Sequence, residues 1–186
     1  MALRVIAGEL KGRKLRSGRG IKTRPTANRT REAIFNIIAP QISGAMVLDL
    51  FAGTGAFGIE ALSRGADSAV FVDIDIDSIS VLQANIKILS LESQTRTIRW
   101  DLIKNLNCLR SSQSTFNLVF IDPPYNRNMI EPTLLNLYNS RSMKTGARVI
   151  VEHSRREPVV TGQLPFEFAD QRKYGKTLVT ILECVL

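Results

Sequence analysis

The sequence predicts one α/β domain. It should hold a mostly parallel seven-stranded sheet, helices on both faces, a terminal antiparallel hairpin and a basic N-terminal β-hairpin extension. Three observations carry this reading. Strand-like and helix-like segments alternate from residue 46 to residue 152, the pattern of a parallel sheet covered by helices. Two strand-like runs at the end are separated only by Gly175 and Lys176, a turn too short for anything but antiparallel pairing. A length of 186 residues fits one domain.

The elements follow in order. Residues 1–24 form an arm in which Leu3, Val5, Ile6, Leu10 and Leu15 have strand-like order and Gly8, Gly12, Gly18 and Gly20 form turns. Arg24-Pro25-Thr26 opens a helix with Thr26 as its N-cap, Ala33, Ile34, Ile37 and Ile38 give its apolar face, and Pro40 ends it. Residues 25–186 are then the main domain. Strands are predicted over Met46–Phe51, Ala69–Asp73, Thr95–Asp101, Phe116–Asp122, Arg148–Glu152, Phe166–Tyr174 and Thr177–Val185. Helices are predicted over Ala56–Arg64, stopped by Gly65, over Ile76–Leu89 with Ile79, Leu82 and Ile86 at helical spacing, over a short Ile103–Leu109, and over Glu131–Tyr138.

Composition excludes several classes. With 44% apolar and 23% charged residues the chain is neither disordered nor collagen-like. It has no apolar run long enough for a membrane span and no signal-peptide core at its start, so a cytoplasmic protein is expected. Cys108 and Cys184 lack a second ligand at metal spacing, which predicts two reduced, buried thiols and no metal. The single histidine, His153, leaves little scope for zinc or a Ser-His-Asp triad and is read as structural or surface.

Charge is lopsided. Residues 1–31 hold ten basic side chains and one acid, Glu9, whereas the other 155 residues nearly balance. Such a cluster is the footprint of a phosphate-backbone ligand, with Arg4, Lys11, Arg13, Lys14, Arg16, Lys22, Arg24 and Arg29 as the candidate nucleic-acid-binding residues.

Between the first strand and its helix lies Asp49-Leu-Phe-Ala-Gly53-Thr-Gly55-Ala-Phe-Gly58. Glycines there allow a tight turn and close approach of a ligand to the backbone amides. Asp73, at the end of the second strand, can accept from ribose hydroxyls, and Asp101 ends the third strand on the same edge. GTGAFG also satisfies the dinucleotide pattern G-x-G-x-x-G. Asp49 argues against that, because a carboxylate there repels phosphates and suits an ammonium or sulfonium. The fourth strand runs into Asp122-Pro123-Pro124-Tyr125. Two prolines make a stiff, donor-free turn that presents carbonyls beside an aspartate and an aromatic ring, a set suited to a planar base with an exocyclic amine.

These residues carry a resemblance. Residues 47–58 and 69–75 resemble the first two motifs of class I S-adenosylmethionine-dependent methyltransferases, a Rossmann-like fold, and Asp122–Tyr125 resembles the (D/N/S)-P-P-(Y/F/W) motif of the branch that methylates exocyclic amines. RVIAGELKGRKL, KTRPTANRTREAIFNIIAP and VLDLFAGTGAFGIEALSRGA together are similar to the RsmD family of bacterial 16S rRNA guanine-N2 methyltransferases. Asp73 stands where many members have glutamate. The resemblance implies S-adenosylmethionine as cofactor, with Phe51, Gly53 and Gly55 around it, Asp49 near its amino acid end, Asp73 at the ribose, and Asp101 and Leu102 flanking the adenine. It implies Asp122, Pro123, Pro124 and Tyr125 as the catalytic set, with Tyr125 stacking on the base. The expected substrate is 16S rRNA in an assembled or partly assembled small subunit, and the expected state a monomer. Another RNA or DNA amine methyltransferase, a dinucleotide oxidoreductase and a non-catalytic ribosome-assembly factor are the alternatives.

Overall fold

The computed structural model describes residues 3–18, 25–110 and 115–185 of the protein, with the side chains of residues 25–27 left aside. Seven strands form one sheet: β1 (Met46–Leu50), β2 (Ser68–Asp73), β3 (Thr95–Arg99), β4 (Phe116–Ile121), β5 (Met143–Ser154), β6 (Phe166–Tyr174) and β7 (Thr177–Cys184). Their order is β3-β2-β1-β4-β5-β7-β6. Strands β1 to β5 are parallel, and β7 runs antiparallel between β5 and β6. The order reverses between β1 and β4, and in open α/β sheets the crevice outside the carboxyl ends at such a point is where ligands bind.

Alternate residues of each strand face opposite layers. Val47 joins one apolar cluster with Ile34, Phe35, Ile59 and Leu82, whereas Leu48 and Leu50 join the other with Leu134, Leu137 and Val149. The first layer holds helices α1 (Pro25–Ile37), α2 (Ala56–Ser63) and α3 (Ile76–Leu89); the second holds α4 (Ile130–Ser140). Phe120 of β4 packs on Phe57 of α2 (centroids 5.1 Å) and on Phe35 of α1 (5.5 Å), fastening α1 to the sheet.

Several elements differ from the sequence reading. Helix α1 begins on Pro25 itself, so Thr26 lies inside the first turn rather than capping it; proline suits that first position because its missing N–H has no partner there. The same helix ends at Ile37, ahead of a 3-10 turn over Ala39–Gln41 that contains Pro40. Strand β3 stops at Arg99, leaving Asp101 in the turn beyond. The expected Ile103–Leu109 helix shrinks to a 3-10 turn, Asn107–Leu109. Two local bonds explain it: Asp101 Oδ1 accepts from Ile103 N–H (3.1 Å) and Asn105 Oδ1 from Asn107 N–H (2.9 Å), and such Asx turns compete with helix. Strand β5 is longer than Arg148–Glu152, with a register shift near Gly146 (φ 78°). Cys184 is buried, but Cys108 is only half-buried, and the two form no disulfide.

The arm is docked rather than loose. Its two limbs pair antiparallel as a short hairpin around Arg4 and Lys14, where Leu15 N–H donates to the Leu3 carbonyl (2.9 Å), Val5 N–H to the Arg13 carbonyl (3.0 Å) and Gly12 N–H to the Val5 carbonyl (2.9 Å). Leu3, Val5 and Leu15 are buried in the first apolar cluster. The anchor is Glu60 of α2, 1% exposed. Its carboxylate accepts from Ile6 N–H (2.7 Å), Ala7 N–H (3.0 Å) and Arg64 Nε (2.8 Å), and Arg31 Nε lies 4.0 Å away. Ser63 Oγ donates to the Ala7 carbonyl (2.6 Å) and accepts from Leu10 N–H (3.0 Å). Asn85 of α3 holds Arg16 through both N–H (2.7 Å) and C=O (3.1 Å). Gly8 permits this closeness: at φ 81° any Cβ there would sit 1.7 Å from the Ser63 carbonyl oxygen. Among the described residues no helix is long and apolar enough to cross a membrane.

Glu60 therefore links arm, α1 and α2. Glu60→Ala should cost about 3–5 kcal/mol, the range for breaking a buried pair and stranding its donors. Residues 3–18 should become the first site of limited proteolysis. Denaturant unfolding combined with proteolytic mapping tests this, and an unchanged midpoint with an intact arm would rule the anchor out.

Candidate active site at the carboxyl edge of the sheet

Beyond β1 the chain leaves the strand at Phe51, whose left-handed φ of 60° is unusual for a side chain of that size. The loop glycines then divide by role. A Cβ on Gly55 would lie 2.4 Å from Leu82 Cδ1, and one on Gly58 would lie 2.3 Å from Phe71 Cε1. Those two glycines let α2 close onto α3 and β2. A Cβ on Gly53 would meet only the Phe51 carbonyl oxygen, at 3.9 Å, so Gly53 is the glycine with open space beside it. It lines a cleft of about 600 Å³ with Gly18, Thr54, Asp75, Asp77 and Ser78.

Asp49 is 2% exposed and its Oδ2 accepts from Gly58 N–H at 2.9 Å. Gly58 is the third residue of α2, so Asp49 satisfies one of the amides that a bound phosphate would use at a helix start. A dinucleotide pyrophosphate would meet this carboxylate. Asp49 Oδ1 has no hydrogen bond among the described residues. Burial, with the charge of Asp73 adding, pushes the Asp49 carboxyl up to about 8 against the pull of the Gly58 amide. Asp73 shapes the loop, accepting from Gly53 N–H (2.8 Å) and Asp75 N–H (2.9 Å).

Register brings a fourth carboxylate to this edge. Ile121 of β4 pairs with Leu50 of β1 and Val151 of β5, so Asp122 stands beside Glu152. Asp122 is half-buried and accepts no hydrogen bond among the described residues. Burial first, then the charges of Glu152 and Asp49, raises its carboxyl well above the usual range. Burial also raises Glu152, opposed by its bond to Tyr125 and by the charge of Arg31.

The Asp122–Tyr125 turn is held from both sides. Pro123 is buried and Pro124 exposed. The Tyr125 hydroxyl donates to Glu152 Oε1 (2.8 Å) and lies 3.0 Å from Thr177 Oγ1. Glu157 accepts from Asn126 N–H (2.6 Å) and Met129 N–H (3.1 Å), and Ser154 Oγ donates to Asn126 Oδ1 (2.6 Å). His153 is buried. Its Nδ1 faces the carbonyls of Ser154 (3.1 Å) and Glu157 (2.9 Å), which places the proton on Nδ1 and leaves Nε2 to accept from Thr180 Oγ1 (2.8 Å). That is a structural histidine.

A second cleft, about 360 Å³, is lined by Ile74, Arg99, Trp100, Asp101, Lys104 and Asn105. Ile74 is 54% exposed there, directly after Asp73. Leu102 is 3% exposed and belongs to the second core cluster, so it can flank a ligand only through its backbone. Of the expected RNA-binding residues, Arg4, Lys11, Arg13, Lys14, Arg16 and Arg29 are exposed and have no carboxylate within 4.0 Å among the described residues. Lys22 and Arg24 lie outside the described residues. Sequence reasoning missed Glu60, Asn85, Ile74, Glu152 and Glu157. Only Glu152 carried a signal, as an acid closing an otherwise apolar strand.

The family model described as Conserved hypothetical protein 95 matches residues 3–183. The Bacillus subtilis (strain 168) protein YlbH is 36% identical over 181 residues, covering 96% of this chain and 97% of its own. Ribosomal RNA small subunit methyltransferase D of Escherichia coli (strain K12) is 35% identical over 150 residues, 81% of this chain and 74% of its own. The solved structure of the Escherichia coli protein yhhF aligns with a TM-score of 0.84 at 30% identity, over 100% of this chain and 99% of that chain. With a family model matched over residues 3–183 and relatives 35–36% identical over most of its length, this chain belongs to the RsmD family of methyltransferases.

Proposed function

We propose that this protein transfers a methyl group from S-adenosylmethionine to the exocyclic N2 of one guanine in 16S rRNA, acting as a monomer on an assembled or partly assembled small subunit. One observation carries the reading. The Asp122 carboxyl stands beside a donor-free proline turn, with no hydrogen-bond partner among the described residues, at the switch point of the sheet and next to the glycine loop. The small-subunit rRNA methyltransferase names of the relatives support the substrate class.

The residues fit the cofactor. Gly53 leaves room at the loop, Asp73 offers oxygens toward ribose hydroxyls, and Asp49 is a buried carboxyl that a cation would stabilise in its ionised form. Ile74 and Asp101 border the cleft suited to a flat base. Bound S-adenosylmethionine supplies an electrophilic methyl on a sulfonium.

On the acceptor side, the guanine N2 lone pair is delocalised into its ring and is a poor nucleophile. Asp122 and the Pro123 carbonyl accept its two N–H bonds, which turns the lone pair toward the methyl; the ring of Tyr125, fixed through its hydroxyl, carries the base. Alignment and fixed dipoles then supply most of the rate. As the new C–N bond forms and the methyl–sulfur bond breaks, with its electron pair left on the neutral thioether of S-adenosylhomocysteine, nitrogen becomes positive and Asp122 offsets that charge. Its raised proton affinity fits it to take the departing proton. A small chain without a separate recognition domain gains selectivity from the shape of the particle, since phosphate contacts position without specifying.

Asp122→Ala should lower methyl transfer at least about 10²-fold with little change in cofactor affinity. Calorimetry with S-adenosylhomocysteine beside a turnover assay tests this, and equal losses in both would make Asp122 a cofactor residue instead.

Asp49 gives a pH signature. A positive ligand favours its ionised form and lowers its pKa in the complex, so binding releases a proton below the free value of about 8. The ratio of wild-type to Asp49→Asn affinity should rise from about pH 6 to about pH 8 and level off above. A flat ratio would remove Asp49 from the cofactor site.

The arm should behave as a phosphate ligand. Replacing Lys11, Arg13, Lys14 and Arg16 together by glutamine should flatten the slope of log K against log salt by up to about 3, at roughly 0.7–0.9 per phosphate. Cofactor affinity should stay unchanged. An unaltered slope would sink the arm's role.

A further inference from the structure

The arm holds the net charge of the chain, but it is not the only basic surface. Five cations gather at the opposite end of the active edge: Arg127 after the Asp122–Tyr125 turn, Arg155 and Arg156 after β5, and Lys173 and Lys176 at the β6–β7 turn. They are scattered over 50 positions of sequence and form no single run there, so only the fold shows them as one cluster.

The fold brings them together. Ser154 pairs with Thr177 across β5 and β7, and Tyr174 pairs with Thr177 across the turn, so residues 155–156 and 173–176 share one corner. Tyr125 joins that corner through Thr177 Oγ1 (3.0 Å), and Asn126, next to Arg127, through Ser154 Oγ (2.6 Å). All five cations are exposed, and none has a carboxylate within 4.0 Å among the described residues. The neighbouring acids are already engaged. Glu157 accepts from backbone N–H groups, Glu152 from Tyr125, and Asp170 from Arg172 (2.8 Å).

We propose that Arg127, Arg155, Arg156, Lys173 and Lys176 form a second phosphate-binding surface, which grips the RNA strand flanking the target nucleotide on the β5–β7 side of Asp122. The inference rests on the reading of the chain as an RNA-directed enzyme. Along the carboxyl edge the order is β1, β4, β5, β7. The arm approaches from the β1 side, where Gly18 lines the cleft with Gly53 and Thr54. Asp122 follows β4, and the five cations close the far side. A strand laid across this edge meets positive charge before and after the acidic pocket, which leaves the target base as the group that enters it. Lysines on an edge strand also guard against edge-to-edge pairing, and Lys173 could serve that end alone. Arg127, Arg155 and Arg156 lie in turns outside the sheet, where that role does not apply.

The test is binding of a short labelled single-stranded RNA over a salt series. Arg155→Gln/Arg156→Gln/Lys173→Gln/Lys176→Gln should flatten the log–log slope by about 0.7 per phosphate released, up to about 3 in all. Arg141→Gln/Lys144→Gln, at the amino end of β5, should leave it unchanged. Cofactor affinity by calorimetry should match wild type, and Lys176→Glu alone should act in the same direction should the fourfold variant prove unstable. With small subunits from cells lacking the enzyme, KM should rise at least about 10-fold at little cost in kcat. An unchanged slope, or an equal drop in the control pair, overturns the proposal. A flattened slope with no methyl transfer by the wild type would instead overturn the proposed function and leave this surface standing.

Discussion

The bond from Gly58 N–H to the buried Asp49 carboxylate is the contact from which the rest follows. It can form only because residue 58 has no side chain, since a Cβ would press on the Phe71 ring. Strand β1 thereby fixes where α2 starts, and the start of α2 fixes the loop that precedes it. It also fixes where Glu60 and Ser63 fall, one turn further along. Those two side chains hold the arm, and Glu60 and Arg31 tie the arm to α1. A single buried carboxylate thus sets the loop geometry and, through one short helix, the docking of residues 3–18.

The electrostatics divide by depth. Asp49, Asp73, Asp122 and Glu152 line the edge, and three of them are pushed toward the neutral form by burial, Asp49 and Asp122 also by neighbouring carboxylates. Such a site is held under tension that a cation or a polarised amine relieves, so it favours a sulfonium and an amino group over a phosphate. The surface around it is basic. In the proposed function, negative charge inside and positive charge outside would sort a nucleic acid into its two chemical parts, backbone on the rim and base in the pocket.

Much of this was legible in the sequence, and the misses share a cause. Asp49, Gly53, Asp73 and Asp122 could be read because each ends a strand or opens a turn beside it, and the edge of an α/β sheet is defined by local pattern. The β6–β7 hairpin could be read from its two-residue turn. Glu60 and Asn85 could not. Their partners in the arm lie 53 to 69 positions away, and inside an amphipathic helix a glutamate or asparagine reads as solvent-facing. Glu157 escaped for the same reason, since its partners are backbone amides of a distant turn. Lys173 and Arg155 are ordinary surface residues until strand pairing makes them neighbours. The short helix over Ile103–Leu109 failed on local grounds instead, because Asp101 and Asn105 offered their own side chains to the backbone.

The prolines give the site its direction of selectivity. Pro123 and Pro124 have no N–H, so the backbone of the turn can accept hydrogen bonds at both residues but cannot donate. Asp122, once ionised, is also acceptor-only. Whatever enters must bring donors, and a base that presented a ring carbonyl to this turn would leave buried oxygens facing each other, at a cost of roughly 1–3 kcal/mol per unpaired group. An amino group supplies two donors where a carbonyl supplies none. On the proposed function, the turn would therefore reject the wrong edge of a base before any chemistry begins. It would do so through atoms that cannot rotate away, because Glu157 and the Tyr125 hydroxyl pin the turn on either side.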